Sequence, residues 1–289
     1  MKKLIDLIKT IKKFSLSLLY NIKILLIFCC INSCAQEMKY GINDKNGRYA
    51  NAGDAKIYYE VYGEGKPIVL LHGGFSYIDQ YKQYIPELSK KYKVIAIATR
   101  GYGRSEIGSQ KYSYNLLADD VKAVIQKEGK DKAIIIGFSD GAMVSYIVAS
   151  KYPEVVDKVV AMSGPLGTSG YAKEGLDWLK TFNSSEFERY RPDFKGIMPQ
   201  PQRWDEFIEN LKLLWVEPNI ISFDSLGKIK CPVLLLAGEH DLYCRVEHMT
   251  EIKDHIKDAR LILIPNASHI DVSPRNMTLF KQYILSFLN

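Results

Sequence analysis

Gly137-Phe138-Ser139-Asp140-Gly141 leaves this chain fewer choices of architecture than any other stretch of it. An apolar run, Ala133-Ile134-Ile135-Ile136, leads into it, and an amphipathic run over 142–150 follows. The order strand, G-x-S-x-G, helix sets a serine on a sharp turn between two packed elements. The flanking glycines let strand and helix close tightly around a side chain held at a strained backbone angle. That strain pushes the hydroxyl out above a sheet, where the helix start favours developing negative charge. Ser139 is the candidate nucleophile. The other reading is an ordinary glycine-rich strand-to-helix turn.

The rest of the chain repeats the alternation. Short β-rich apolar runs fall at 67–71, 93–98, 132–136, 158–163, 232–237 and 260–264, and 55–62 alternates like a half-exposed strand. Near-continuous apolar runs suit strands covered on both faces. Helical spacing occupies 78–91, 114–128, 142–150, 246–256 and 274–288. The pattern predicts the α/β class, a mostly parallel twisted sheet with helices on both faces. One interval breaks it. Between 166 and 230 no run reads as a strand, and all three tryptophans (Trp178, Trp204, Trp215) occur there. Helices are expected near 175–182 and 201–215. An insertion this long at the carboxyl edge of a sheet is expected to form a helical cap over an active site; a surface excursion is the alternative. The α/β domain with its cap is expected over 49–289, behind a tether at 34–48.

The net charge of +6 is no sign of nucleic-acid binding. Lys2, Lys3, Lys9, Lys12, Lys13 and Lys23, against Asp6 alone, concentrate it in the first 33 residues. No basic patch interleaved with aromatics, no zinc-finger spacing and no P-loop occurs, so no nucleic-acid partner is expected. Those lysines lead into an apolar run over 24–31, too short to cross a bilayer by itself. Ile31-Asn32-Ser33-Cys34-Ala35-Gln36 then resembles the lipobox of bacterial lipoproteins. Residues 1–33 are expected to be a signal peptide and Cys34 the lipidation site. The protein would be exported to the cell envelope and held to the membrane through that lipid. A secretory signal cut near Ala35, giving a soluble exported protein, and an uncleaved N-terminal anchor are the alternatives. Of the five cysteines, Cys29 and Cys30 belong to the signal and Cys34 is expected to carry the lipid, which leaves Cys231 and Cys244. They flank an expected strand, which at about 3.3 Å per residue holds them too far apart for a disulfide. Both are expected to be reduced.

A serine needs a base to take its proton, and the base needs an acid that fixes its tautomer and stabilises the imidazolium. His269 follows the last strand, in Pro265-Asn266-Ala267-Ser268-His269, at the same sheet edge as Ser139. His72 lies in a glycine-rich loop and is expected to be structural. His248 and His255, seven apart on a helix, suit packing or surface positions. Asp241 closes Gly238-Glu239-His240-Asp241 just past a strand end and is the candidate acid. His240 would face away from a site into which Asp241 points. Glu239 is the nearest rival acid, and Asp271 is expected to bond within its own loop.

The order Ser139, Asp241, His269 is that of the α/β-hydrolase superfamily, which the chain resembles from about Tyr49 onward. Leu71-His72-Gly73-Gly74-Phe75 is similar to its H-G-G oxyanion loop. Arg100-Gly101-Tyr102-Gly103-Arg104-Ser105 is similar to its R-G-x-G-x-S loop, and Gly238-Glu239-His240-Asp241 to its acid loop. The elbow is similar to that of valacyclovir-hydrolase-like and other small-ester hydrolases. Where the family usually has an aspartate two residues before the arginine, this chain has Ala98, which should weaken a structural contact and leave the triad intact. The resemblance implies an acyl-enzyme mechanism with Ser139, His269 and Asp241 as triad. The backbone N–H groups of Asp140 and of Gly74 or Phe75 would hold the oxyanion. It calls for no metal and no organic cofactor. The expected function is hydrolysis of a small carboxylic ester, the partner being a small-molecule ester or amide. An aminopeptidase or amidase of the proline-iminopeptidase type, a lactonase, an acyltransferase and a non-catalytic envelope binding protein are the alternatives. Dehalogenase and epoxide hydrolase are disfavoured, since their nucleophile is an aspartate. The Asp140 carboxylate has two readings: support of the helix start, or recognition of a cationic substrate group such as an α-amine.

Overall fold

A computed structural model describes residues 39–289; the expected signal peptide and Cys34 lie outside them. Among the described residues are eight strands, the first three consecutive and the later ones separated by helices: β1 (Gly47–Ala52), β2 (Ala55–Tyr62), β3 (Lys66–Leu71), β4 (Tyr92–Ile97), β5 (Ala133–Phe138), β6 (Val156–Met162), β7 (Val233–Gly238) and β8 (Ala259–Ile264). They make one sheet in the order β1-β2-β4-β3-β5-β6-β7-β8. The pairs β1/β2 and β2/β4 are antiparallel and the others parallel. β5 carries three consecutive isoleucines and is buried at every position, as a strand covered on both faces must be. The expected α/β class and mostly parallel sheet are what the molecule has.

The strand order positions the site. From β3 the chain moves outward to β4, then returns past β3 to β5 on the other side. The loops leaving β3 and β5 run in opposite directions across the sheet edge, and a crevice opens between them. That reversal sets the 72–75 loop beside Ser139.

Several boundaries differ from expectation, each for a local reason. The sheet starts inside the stretch expected to be tether, because β1 begins at Gly47. β1 is an edge strand that buries only two alanines, Ala50 and Ala52, so it has no apolar run. The residues before it are tied down as well. Glu60, fully buried on β2, accepts from the N–H groups of Gly41 and Asn43 (both 2.8 Å) and from the hydroxyls of Tyr58 (2.8 Å) and Tyr62 (2.7 Å). The helix expected over 78–91 is a 3-10 turn at Ile78–Tyr81 followed by a short helix at Tyr84–Leu88. Pro86 has no N–H and its ring would strike the carbonyl four residues back, so it fits only in the first turn of a new helix. The C-terminal helix starts at Met277, where Asn276 caps it by accepting from the N–H groups of Thr278 and Leu279.

The contact expected to suffer from Ala98 is made elsewhere. Arg100 is wholly buried and donates to Asp120 through Nε (2.8 Å) and Nη2 (2.7 Å) and to Asp54 through Nη1 (2.7 Å). A buried guanidinium needs such partners, since removing one leaves an uncompensated charge. Cys231 and Cys244 are both free thiols, as expected.

Between β6 and β7 the chain is helical, at Lys173–Thr181, Ser184–Tyr190, Phe194–Ile197, Trp204–Trp215 and Phe223–Leu226. The first and fourth overlap the expected helices. Ser184–Tyr190 is announced by a polar signal, a capping box between Asn183 and Glu186. This insertion buries Phe182, Phe187, Phe194, Trp204, Phe207 and Trp215. Their rings pack on each other and on Phe75 and Tyr102 of the sheet-edge loops, at centroid distances of 4.8 Å for Phe75–Phe182 and 5.0 Å for Tyr102–Phe207.

Candidate active site

β5 ends at Phe138 and the next helix, Asp140–Lys151, begins two residues later, so Ser139 alone makes the turn, at φ 53° and ψ −116°. This region costs a residue with a side chain on the order of 1–3 kcal/mol. A Cβ on Gly137 would run into the Gly141 carbonyl, and one on Gly141 into the carbonyl of Leu71. The two glycines therefore let the elbow close on itself and on β3. Among the described residues, three other non-glycine residues hold positive φ: Phe75 (57°), Ser163 (51°) and Asn266 (55°). Each lies just past the carboxyl end of a strand, β3, β6 and β8, so the backbone strain collects at one sheet edge.

Three loops bring the candidate triad together at that edge. His269 Nε2 lies 3.1 Å from Ser139 Oγ, and its Nδ1 lies 2.9 and 3.0 Å from the Asp241 carboxylate oxygens. The Asp241 side chain is fully buried and that of His269 is 16% exposed. Asp241 Oδ1 also accepts from the Tyr243 N–H at 2.8 Å, which aims the carboxylate. The rings of Phe138 and Tyr243 flank the imidazole, with centroids 4.9 and 5.2 Å away. A carboxylate on Nδ1 keeps the proton there and turns the Nε2 lone pair to the hydroxyl.

The rival groups have other partners. Glu239 accepts from the Asn266 N–H at 3.0 Å, and Asp271 accepts from the N–H and hydroxyl of Ser268 within its own loop. His240 is exposed. His248 accepts from the Leu166 N–H at 3.0 Å, and His255 stacks on Phe223.

His72 is structural in its contacts. Its Nδ1–H donates to the Gly73 carbonyl (2.8 Å) and its Nε2 accepts from the Thr99 N–H (3.0 Å), an arrangement only the neutral ring can make. Burial pushes its pKa down to about 4. Between about pH 6.5 and pH 4 the unfolded chain takes up a proton that the folded chain refuses, so His72 stabilises the fold above this window and ceases to as the pH falls through it. The loss amounts to about 3 kcal/mol. Urea midpoints measured across the window should fall with acid in the wild type, and less steeply in His72→Gln.

The oxyanion loop is held by its other polar groups. The Gly73 N–H donates to Gln80 Oε1 at 3.0 Å. Burial drives the Tyr102 phenol well above its ordinary range, and the backbone amide of Phe75 works against that rise. The Gly74 N–H has no acceptor among the described residues. A Cβ on Gly74 would meet Asp140 Oδ2 at 3.3 Å and Trp215 Cζ2 at 2.9 Å, so this N–H sits beside the elbow. The Asp140 N–H, first in its helix, lies outside the helix hydrogen-bond ladder.

Asp140 links the elbow to the insertion. Its carboxylate accepts from the Tyr114 hydroxyl at 2.9 Å and from Trp215 Nε1 at 3.0 and 3.2 Å. Burial raises its pKa, and these two donors oppose the rise. Trp215 also stacks on Phe75, centroids 5.1 Å apart and planes 26° apart. Trp178 lies 5.8 Å from Phe75 and 6.1 Å from Tyr243, whereas Trp204 packs inside the insertion on Phe187 and Phe207. Of the three tryptophans, Trp215 is therefore the one bonded to the elbow.

A family model described as the α/β hydrolase fold matches residues 66–195. Mouse epoxide hydrolase 4 is 32% identical to this chain, across 74% of it and 71% of the mouse protein. The chain belongs to the α/β-hydrolase family. Another relative of this α/β-hydrolase is the AB hydrolase superfamily protein YisY of Bacillus subtilis (strain 168), 27% identical over 74% of this chain and 88% of YisY. Among solved structures, a serine hydrolase involved in carbazole degradation superposes with a TM-score of 0.68. It covers 84% of this chain and 98% of its own at 22% identity, a likeness of fold.

Proposed function

We propose that this α/β-hydrolase cleaves small carboxylic esters through an acyl-enzyme on Ser139. The observation that carries the reading is the unbroken line of bonds from Ser139 Oγ through both ring nitrogens of His269 to the buried Asp241 carboxylate. Ser139 Oγ attacks the carbonyl carbon while His269 Nε2 takes its proton. The Gly74 and Asp140 N–H groups receive the charge that develops on the carbonyl oxygen. Collapse expels the alcohol, protonated by His269, and leaves the acyl group on Ser139. His269 then draws a proton from water, which attacks the ester, and returns that proton to Ser139 Oγ as the acyl–oxygen bond breaks and the acid leaves. Epoxide opening, the activity in the mouse relative's name, is disfavoured here because the elbow carries a serine.

The insertion serves as the cap in this reading. Phe75, Trp178 and Trp215 pack together beside the oxyanion donors, which favours substrates with an apolar acyl or alcohol group. Full-length protein screened against p-nitrophenyl esters, lactones and aminoacyl anilides should turn over the esters fastest. Turnover of the anilides or lactones alone would move the assignment to those classes, and no turnover with no fluorophosphonate labelling would end it.

For the Asp140 carboxylate, the bonds from Tyr114 and Trp215 favour a tether over an amine site. Asp140→Asn should slow hydrolysis of free-amine aminoacyl esters and their N-acetylated forms by the same factor. A loss confined to the free amines would assign the carboxylate to substrate recognition.

A further inference from the structure

Arg191 follows the insertion helix Ser184–Tyr190, yet its guanidinium reaches the oxyanion loop. Nη1 donates to the Phe75 carbonyl at 3.1 Å. Nε and Nη2 donate to the Asp193 carboxylate at 3.2 and 3.1 Å, and Nη2 lies 3.6 Å from Asp79. The guanidinium also lies over the rings of Tyr77 (4.9 Å) and Phe194 (4.8 Å). All three nitrogens are engaged in a side chain only 14% exposed, which fixes the direction of Nη1.

The carbonyl it holds belongs to a residue in strain. Phe75 has φ 57°, a conformation that a bulky side chain keeps only when its surroundings impose it. Two sets of contacts do so, and both involve the insertion: Arg191 on the carbonyl, and Phe182, Phe187 and Trp215 around the ring. Released from them, Phe75 would relax to negative φ and rotate the peptide that joins it to Gly74. That peptide carries the Gly74 carbonyl and the Phe75 N–H, so turning it shifts the Gly74 backbone, whose own N–H is the next donor in the loop.

We propose that Arg191 is a positioning residue for hydrolysis. By holding the Phe75 carbonyl it keeps the Gly74 N–H aimed at the oxyanion, so the insertion completes the site it covers. This rests on the serine-hydrolase reading above. The charge on the substrate oxygen develops only on the way to the tetrahedral state, so the effect belongs to kcat and not to ground-state binding.

The test compares wild type with Arg191→Met, which keeps length and apolar packing without a donor, and Arg191→Ala, which leaves room for an added guanidinium ion. Arg191→Met is expected to lower kcat about ten- to a hundredfold on an aryl ester, with KM little changed and an unaltered pH profile. An arylboronic acid, which forms a tetrahedral adduct on Ser139, should bind more weakly by a similar factor. Low guanidinium should restore part of the kcat of Arg191→Ala. Wild-type kcat and boronate affinity in Arg191→Met would overturn the proposal. So would a loss in Arg191→Ala that guanidinium leaves unrestored, or one that follows the thermal midpoint across the two variants. A wild-type protein that neither hydrolyses esters nor takes up a fluorophosphonate would instead bring down the serine-hydrolase reading itself.

Discussion

Ser139→Ala is expected to lower kcat/KM for an aryl ester by about 10⁶-fold while leaving the fold intact. The size follows from the role: no neighbouring hydroxyl or thiol occupies the elbow, and His269 has nothing to activate once Oγ is gone. The fold should survive because alanine keeps the same Cβ at φ 53°, and the turn depends on the glycines either side of it. The His269–Asp241 pair keeps its own bonds at 2.9 and 3.0 Å. Steady-state rates and a thermal melt on the same preparation check both halves. Residual activity within tenfold of wild type would put the nucleophile elsewhere.

Asp241→Asn should lower kcat by about 10⁴-fold with a nearly unchanged structure. The reason lies in which oxygen is already committed. Oδ1 accepts from the Tyr243 N–H at 2.8 Å, so the carbonyl oxygen of an asparagine would take that position. Its NH₂ group would then stand where Oδ2 now lies, 2.9 Å from His269 Nδ1. A donor there drives the ring proton to Nε2, the nitrogen that must accept from Ser139. The variant would hold a well-ordered imidazole in the wrong tautomer. Glu239→Gln is the control, since Glu239 is exposed and bonds only the Asn266 N–H, and its kcat should match wild type. A tenfold or smaller loss in Asp241→Asn would mean that His269 is oriented by something other than this carboxylate.

What could be seen in the sequence was local. The elbow announces itself because strand, two glycines and helix are contiguous, and the strands of a two-faced sheet are apolar runs. β1 has no such run, since an edge strand buries only Ala50 and Ala52. The break near Pro86 has a visible cause in the chain, outweighed by apolar spacing that continues across it. The triad could be chosen because each member follows a strand at the same sheet edge. The residues that support the site had no such signal. Trp215 and Tyr114 reach Asp140 from 75 and 26 residues away, and Arg191 reaches Phe75 from 116 away. By type, each suits core packing or a surface ion pair equally well. The preference for Gly74 over Phe75 as donor also needed three dimensions, because it depends on Gly74 lying beside Asp140.

Hydrolysis by this route requires a covalent intermediate on one side chain. The direct measurement is rapid acid quenching of full-length protein mixed with a p-nitrophenyl ester, followed by mass analysis of its peptides. One acyl group per chain on the peptide containing Ser139, formed with a burst of nitrophenol and absent from Ser139→Ala, is the predicted result. Steady ester turnover with no acyl group on Ser139, or with the acyl group on another residue, would contradict it.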